Sequence, residues 1–346
     1  MRTPSSTLDA VIAHRRKRAR RHAFILAVLL GLIAAIFAVT LSVGQSITPP
    51  GDVLRVLMGE AVPGVSFTVG QLRLPRAVMS ILAGLCFGLG GVAFQVMLRN
   101  PLASPDIIGI SSGAGAAAVF AIVILSMNGP MVSVIAVVAG LGVALLVYGL
   151  SFRNGVAGTR LILVGIGVSA MLQSVIAYIL QSAPAWNLQE AMRWLTGSVN
   201  GAQLGQALPL VLALLFFGGL LLARGRDLET LRLGDDMAAA LGTRVAQTRM
   251  LVIVAAVGLI ASATAATGPV AFVAFLSGPI AGRIVRNDGS LLIPSALTGA
   301  VLVLVADYVG QHLLPGRYPV GVVTGALGAP YLIYLIVRIN RIGGSL

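Results

Sequence analysis

Charge is scarce in this chain. Charged residues make up 10% of the 346 positions, against about 25% in a typical soluble domain, whereas 57% are hydrophobic and the mean hydropathy is +0.96. A soluble fold with this composition has too few charged side chains to cover its own surface. The composition excludes a soluble protein and predicts an all-α fold, a polytopic membrane protein.

Lysine, histidine and cysteine are nearly absent, and each absence removes a class of chemistry. The single lysine is Lys17, so the chain has no Walker A loop, which requires Gly-x-x-x-x-Gly-Lys-Ser/Thr, for binding ATP. The histidines His14, His22 and His312 are scattered and Cys86 stands alone, which excludes a metal cluster and an intrachain disulfide. No Ser/His/Asp set is indicated by spacing. We therefore expect no enzyme activity, no metal site and no cofactor in this chain.

Long apolar runs dominate what remains. A membrane-spanning helix needs about 20 mostly apolar residues, and ten runs qualify, although Gly, Pro and Ser interrupt or blur the third, eighth and ninth. The predicted spans are 22–43, 77–98, 108–125, 131–151, 160–181, 205–223, 250–267, 270–285, 291–313 and 319–338.

The basic residues orient these spans. If the N-terminus is cytoplasmic, 19 of the 24 lysines and arginines lie on the cytoplasmic side, as the positive-inside rule requires. The net charge of +13 then needs no nucleic-acid partner. We expect both termini in the cytoplasm, a basic cytoplasmic segment at 1–21 and one transmembrane domain over 1–346.

Glycines recur at a spacing of four residues, which lets helix backbones approach closely in a membrane. This pattern predicts tight helix packing and says nothing about a cargo. The pairs are Gly84 with Gly88, Gly109 with Gly113, and Gly321 with Gly325.

Asp307 is the one acid clearly inside a predicted span, near its outer end. Intramembrane acids often mark proton or ion sites, so one interpretation is a self-sufficient proton-coupled carrier. The other is a structural acid paired with backbone donors or with an arginine near the outer surface. Because a single acid is thin support for a proton-driven carrier, we expect the energy to come from another polypeptide.

The segment 224–249, between the sixth and seventh predicted spans, holds nine charged residues in 26. Within it, "LGDDMAAALG" predicts a short helix with Asp235 as N-cap, Asp236 in the first turn and Gly242 as a left-handed stop. One apolar face is formed at i, i+3 and i+4 by Met237, Ala240 and Leu241. Periodicity alone leaves two interpretations open, an ordinary solvated loop and a docking element for a soluble motor.

Four stretches in order carry a specific resemblance. They are "LRLPRAVMSILAGLCFGLGGVAFQVMLRNPLASPDIIGISSGAGAA" (72–117), "LGDDMAAALG" (233–242), "GPVAFVAFLSGPIAGRIV" (268–285) and "ADYVGQHLLPGRYPVGVVTGALGAPYLIYLI" (306–336). They resemble permease subunits of ABC importers of the iron–siderophore, haem and cobalamin class. The resemblance implies a ten-helix type II importer fold, a second permease, and two cytoplasmic ATPase subunits that bind the ATP and Mg. It also implies an extracytoplasmic substrate-binding protein.

The resemblance also assigns roles to residues. It implies that the short helix inserts into a cleft of the ATPase, and that outer-surface arginines pair with acids of the binding protein. The coupling residues are then Leu233, Gly234, Asp235, Asp236, Ala240, Leu241 and Gly242. The docking residues are Arg73, Arg76 and Arg317.

Two departures from the family pattern qualify these roles. Gln311 stands where relatives often have arginine, and Arg317 stands where an acid is common. Ser277, Gly278 and Pro279 replace a Val-Pro-His of many relatives. The second variant resembles siderophore permeases that work as two different chains, so we expect a ferric siderophore and a heterodimer, with haem or cobalamin as the alternative cargo.

The fifth predicted span is the expected gate of the pathway. Its polar residues are Ser169, Gln173 and Ser174, and the first two share a helix face at i, i+4. Such a stripe either lines a passage for a bulky polar complex or supplies hydrogen bonds across packed helices.

Overall fold

The computed structural model describes residues 4–104, 109–151, 158–286 and 289–343. The regular secondary structure in this part of the chain is helical, apart from an isolated bridge between Val43 and Ile47. The helices are α1 (Pro4–Ser42), α2 (Pro50–Leu57), α3 (Leu74–Met97), α4 (Ile110–Val123), α5 (Pro130–Ser151), α6 (Gly158–Gln181), α7 (Ala185–Thr196), α8 (Ala207–Ala213), α9 (Gly219–Ala223), α10 (Gly225–Leu231), α11 (Asp235–Ala240), α12 (Val245–Thr267), α13 (Val273–Val285), α14 (Leu292–His312) and α15 (Val320–Gly343). The all-α prediction is confirmed.

Eight helical segments in the described part are long and apolar enough to cross a membrane. A π-helical stretch, Phe67–Arg73, extends α3, and another, Leu214–Gly218, joins α8 to α9 in one span. Two shorter apolar helices, α4 and α13, occupy the third and eighth predicted spans. The count agrees with about ten spans, and the two short ones are among those whose apolar runs were interrupted.

The backbone sets where the two short helices begin. α4 follows Gly109 at φ 84°, and α13 follows Phe272 at φ 63°, both in the left-handed region that stops a helix from extending backwards. At 14 and 13 residues, each reaches about 20 Å at 1.5 Å per residue, short of a hydrocarbon core of about 30 Å.

α3 is the central helix of the bundle and packs against α12, α13 and α14. Glycines allow the contact with α14, as the four-residue spacing predicts: a Cβ at Gly84 would collide with the backbone of Gly299 and Ala300, and one at Gly88 with Ser295. Gly113 likewise meets Val143 of α5, and Gly321 meets the backbone of Thr196. Glycine therefore permits the close backbone approach of α3 and α14.

The basic N-terminal segment is part of the first span's helix. α1 runs without interruption for 39 residues, so the basic run 14–22 continues directly into the predicted span 22–43. We call the end of the bundle that carries α10 and α11 the charged end, and the end that carries α2 and α7 the opposite end.

Candidate functional site

The segment 224–249 folds as two short helices held against the bundle. α10 buries Leu228 and Leu231, and α11 buries Ala238. The hydroxyls of Thr230, near the end of α10, and Thr243, just after α11, lie 2.8 Å apart and link the two helices. The two helices are thus fixed in orientation by packing from one side.

The start of α11 differs from the prediction. Asp235 is not the N-cap: Gly234 holds that position at φ 107°, ψ 159°, and no side chain caps the helix. A backbone with φ > 0 favours glycine, and Asp235 is left as the first helical residue. Its carboxylate accepts a hydrogen bond from Arg249 at 2.9 Å and lies 3.6 Å from Arg99.

The end of α11 agrees with the prediction. Gly242 has φ 87°, its N–H donates to Ala239 O, and Thr243 N–H donates to Ala238 O. These two bonds form a Schellman stop. The loop that leaves the helix is therefore set by backbone geometry.

α11 presents an exposed apolar face at the charged end. Leu233, Met237 and Leu241 are 63%, 55% and 60% exposed, and Ala240 and Asp236 are also exposed. Apolar side chains grouped on one side of an anchored helix mark a contact surface. The predicted face exists and points away from the rest of the chain.

Two of the three predicted docking arginines at the opposite end, Arg73 and Arg76, have partners within the chain. Arg76 and Asp307 form a two-pronged ion pair, Nε to Oδ2 at 2.7 Å and Nη2 to Oδ1 at 2.6 Å, with Asp307 only 2% exposed. Arg73 donates to Leu41 O at 2.8 Å and to Ser46 O at 2.8 Å. Asp307 thus has the structural role of an acid paired with an arginine, joining α14 to α3.

Arg317 is the exposed member of the predicted docking set. The neighbouring Gln311 donates through Nε2 to Tyr318 O at 3.2 Å, and Tyr318 N–H donates to Gly310 O at 2.9 Å. The glutamine at the first departure from the family pattern therefore closes the loop that carries Arg317.

The three polar residues of the fifth span, α6, diverge in the structure. Gln173 lines a cavity of about 510 Å³ with Ser112, Phe272 and Phe275, and its Nε2 lies 3.4 Å from Ser112 Oγ. Ser174 is exposed and bonds Ala170 O of its own helix at 3.1 Å. The Ser169 hydroxyl is buried with no hydrogen-bond partner in the described part of the chain. Of the predicted stripe, only Gln173 reaches this cavity, which we call the central cavity.

The second departure from the family pattern builds a junction between α13 and α3. Pro279 lies inside α13 and has no N–H to give to Phe275 O, four residues earlier. Gln95 of α3, 6% exposed, donates its Nε2 to that carbonyl at 2.9 Å. Gly278 leaves room for the amide, because a Cβ there would collide with Gln95 Oε1.

Sequence reasoning did not single out Gln95. Two sequence features could have indicated its role: a proline inside an apolar span, which leaves one backbone carbonyl without its helical donor, and a single glutamine inside another span.

A second cavity, of about 610 Å³, opens at the charged end and was not predicted. We call it the arginine cavity because five arginines line it, together with Gln95, Gly278 and Pro279. They are Arg99, Arg232, Arg283, Arg286 and Arg338. They come from separate segments that only the fold brings together, so no local sequence pattern reveals them.

Comparisons with known proteins agree with this architecture. A model of the FecCD transport family matches residues 31–338. The ferric enterobactin transport system permease protein FepG of Escherichia coli (strain K12) is 39% identical over 308 residues, 88% of this chain and 90% of the relative. The achromobactin transport system permease protein CbrC of Dickeya dadantii (strain 3937) is 38% identical over 311 residues, 89% of each.

A solved structure agrees as well. An inward-facing ABC transporter of metal-chelate type matches with a TM-score of 0.81 at 27% identity, over 91% of this chain and 99% of that one. The resemblance read from the four ordered stretches is confirmed. This multi-pass membrane protein belongs to the FecCD transport family.

Proposed function

We propose that this chain is the permease subunit of an ATP-driven importer that carries a ferric siderophore across the inner membrane. The observation that carries the proposal is the exposed apolar face of α11, anchored from behind at the charged end. Because the chain has no Walker A loop, a separate polypeptide has to bind and hydrolyse the ATP. The exposed apolar face of α11 is a suitable contact surface for that polypeptide.

The motor is a pair of ATPase subunits that bind the ATP and Mg. The coupling contact comprises Leu233, Gly234, Asp235, Asp236, Ala240, Leu241 and Gly242. The charged end is then cytoplasmic, in accord with the positive-inside rule, and so are both termini. The ion pair of Asp235 with Arg249 connects a push on α11 directly to α12.

A second permease subunit packs against α6. This span exposes Leu163, Met171 and Tyr178, together with the polar Gln173 and Ser174. Polar groups facing lipid are unfavourable, so a protein partner or a pathway suits this face better than acyl chains. The Ser277–Gly278–Pro279 variant supports a non-identical partner.

A substrate-binding protein docks at the opposite end through Arg317, with Arg73 and Arg76 fixing the surface around it. Exposed charges of this kind steer association and set register. The names of FepG and CbrC, which refer to ferric enterobactin and achromobactin, support a siderophore cargo. Haem or cobalamin is the alternative within the same mechanism, and no observation favours a proton-coupled carrier, because Asp307 is occupied by Arg76.

The test compares two exposed methionines in the assembled transporter, reconstituted in proteoliposomes. Met237→Arg puts a charge on the α11 face, whereas Met58→Arg puts the same charge at the opposite end, where Met58 is 71% exposed. We expect Met237→Arg to lower ATP-dependent uptake of ferric siderophore at least about tenfold, the effect of losing one interface anchor. Met58→Arg leaves uptake within about twofold, since surface changes rarely exceed 0.5 kcal/mol.

Unchanged uptake in both Met237→Arg and Leu241→Arg would refute the coupling contact. Uptake by the isolated chain without ATP, abolished by Asp307→Asn, would replace the importer with a secondary carrier.

A further inference from the structure

The arginine cavity concentrates positive charge at one place. Its five arginines come from the end of α3, the turn between α10 and α11, α13 with its C-cap, and α15. None of the residues lining it, within the part of the chain that is described, is acidic. At about 610 Å³ the cavity is of the size that small-molecule sites have, roughly 300–1,000 Å³.

Three of these arginines have no acidic partner among the described residues. Arg283 stacks over Tyr331 and Tyr334, with its guanidinium carbon 5.4 and 5.0 Å from the ring centroids. Arg338 donates to the Tyr334 hydroxyl at 2.9 Å. Stacking engages the flat face of a guanidinium and leaves its edge N–H groups to meet oxygen acceptors. The tyrosines therefore position charge without neutralising it.

The other two arginines connect the cavity to the coupling segment. Arg232 pairs with Glu229 at 3.0 Å, and Arg99 lies 3.6 Å from Asp235 of α11. A shift of α11 would move these two side chains relative to Arg283, Arg286 and Arg338. The charge density of the cavity thus depends on the position of the helix that the proposed ATPase contacts.

The arginine cavity lies in line with the central cavity along α13 and α15. Phe275 and Leu332 line the central cavity, whereas Pro279 and Leu335, about one helical turn further on, line the arginine cavity. Phe275, Leu276 and Leu335 form one buried apolar cluster between them. Two cavities in series across an apolar layer are the arrangement that a stepwise passage requires.

We infer that the arginine cavity is an exit site for an anionic, oxygen-rich ferric chelate, so that the cargo carries net negative charge. The inference rests on the proposed function. An anion that has crossed the apolar layer gains both charge-assisted hydrogen bonds and the attraction of opposite charges from the guanidinium groups. A neutral chelate gains the hydrogen bonds without that attraction, and a cationic chelate is repelled. Binding in the arginine cavity therefore favours movement of the cargo towards the charged end in the last step of transport.

The test measures binding of two radiolabelled iron complexes to the nucleotide-free transporter without its binding protein, in phosphatidylcholine nanodiscs. The probes are the trianionic ferric tris(catecholate) and a neutral ferric trihydroxamate. The variant is Arg286→Gln with Arg338→Gln. The matched control is Arg16→Gln with Arg20→Gln, two exposed arginines of α1 that lie outside the cavity.

We expect the Arg286→Gln/Arg338→Gln variant to bind ferric tris(catecholate) at least about tenfold more weakly than wild type, which is 1.4 kcal/mol. The control variant should stay within about twofold, and wild-type affinity should fall as salt is raised. Equal binding of the catecholate by wild type and the cavity variant overturns the inference. So does equal affinity of wild type for the neutral trihydroxamate.

A phospholipid headgroup offers similar anionic oxygens, and a second arm separates the two sources. If phosphatidylglycerol nanodiscs abolish catecholate binding and the bound lipid is lost in the cavity variant, the site is a lipid site and the inference fails. If wild type takes up the ferric siderophore and the cavity variant takes it up equally well, the exit site is refuted and the proposed function stands. Absence of any ATP-driven ferric uptake refutes the proposed function itself.

Discussion

Arg76 and Asp307 are 231 positions apart and form the most buried ion pair among the described residues. The acid could be located by its isolation in an apolar run. Its partner could not be identified from the sequence, since several arginines flank the same surface and only the packing of α3 on α14 selects Arg76. Replacing either side chain therefore leaves the other without its ion-pair partner.

Replacing one partner should destabilise the protein strongly. Asp307→Asn or Arg76→Gln leaves an unpaired buried charge or a poorly paired amide, and breaking a buried pair costs about 3–5 kcal/mol. The apolar double variant Arg76→Met/Asp307→Leu should unfold close to the wild-type temperature. Thermal unfolding in detergent measures all three, with exposed Arg317→Gln as the unaffected control. Full stability of Asp307→Asn would contradict the structural role of the pair.

The role of Gln95 could not be predicted from the sequence for a different reason. A proline in an apolar helix shows which carbonyl is left free, but the donor that satisfies it lies 180 positions away. Asp235 shows the converse: the sequence suggested a side-chain cap, and a glycine backbone at Gly234 took that position instead.

Gln95→Leu keeps the size of the side chain and removes the donor to Phe275 O. An unsatisfied buried carbonyl costs about 1–3 kcal/mol, so the unfolding temperature should fall. Adding Pro279→Ala restores a backbone N–H to the same carbonyl and should recover most of the loss. If the double variant is no more stable than Gln95→Leu, Pro279 is not the reason for the bond.

At the scale of elements, the hydrophobic runs located the helices well, because length and apolarity are local properties. The two short apolar helices, α4 and α13, were harder to delimit, since their starts depend on left-handed backbone at Gly109 and Phe272. The exposed face of α11 was predicted from spacing. Its direction depended on Leu228, Leu231 and Ala238, whose buried contacts the sequence does not specify.

Two glycines in helices provide a matched comparison of packing. Gly84→Ala forces a Cβ into the backbone of α14, whereas Gly142→Ala in α5 meets nothing within 4 Å. We expect Gly84→Ala to lower stability by about 1–3 kcal/mol through overpacking. Gly142→Ala should leave it unchanged or raise it by up to about 1 kcal/mol through helix propensity. Urea or thermal unfolding compares the two, and equal effects would contradict the close α3–α14 approach.

At the scale of the whole molecule, the distribution of basic residues predicts how the protein is oriented in the membrane. The fold places α10 and α11 at the charged end, and α2 and α7 at the opposite end. The arginine cavity belongs to this scale too. Its arginines were counted in the sequence as orienting charges, and only the assembled bundle turns five of them towards one space.

Orientation can be tested with single cysteines. The one native cysteine is fully buried, so Cys86→Ala provides a clean background. A membrane-impermeant maleimide added to right-side-out vesicles should label Met58→Cys, and should label Met237→Cys only after permeabilisation. Wild type should remain unlabelled until it is denatured. Labelling in the reverse order would place the charged end outside and refute the proposed topology.

α3 makes specific contacts along its whole length. Near its start Arg76 holds α14, towards its other end Gln95 holds α13, and just beyond it Arg99 reaches Asp235 of α11. A helix of 24 residues is about 36 Å long at 1.5 Å per residue, so a tilt of roughly 5° displaces one end by about 3 Å relative to the other. α3 is therefore one continuous rigid element that joins these three contacts, and we expect a displacement of α11 to be passed through it to the opposite end of the bundle.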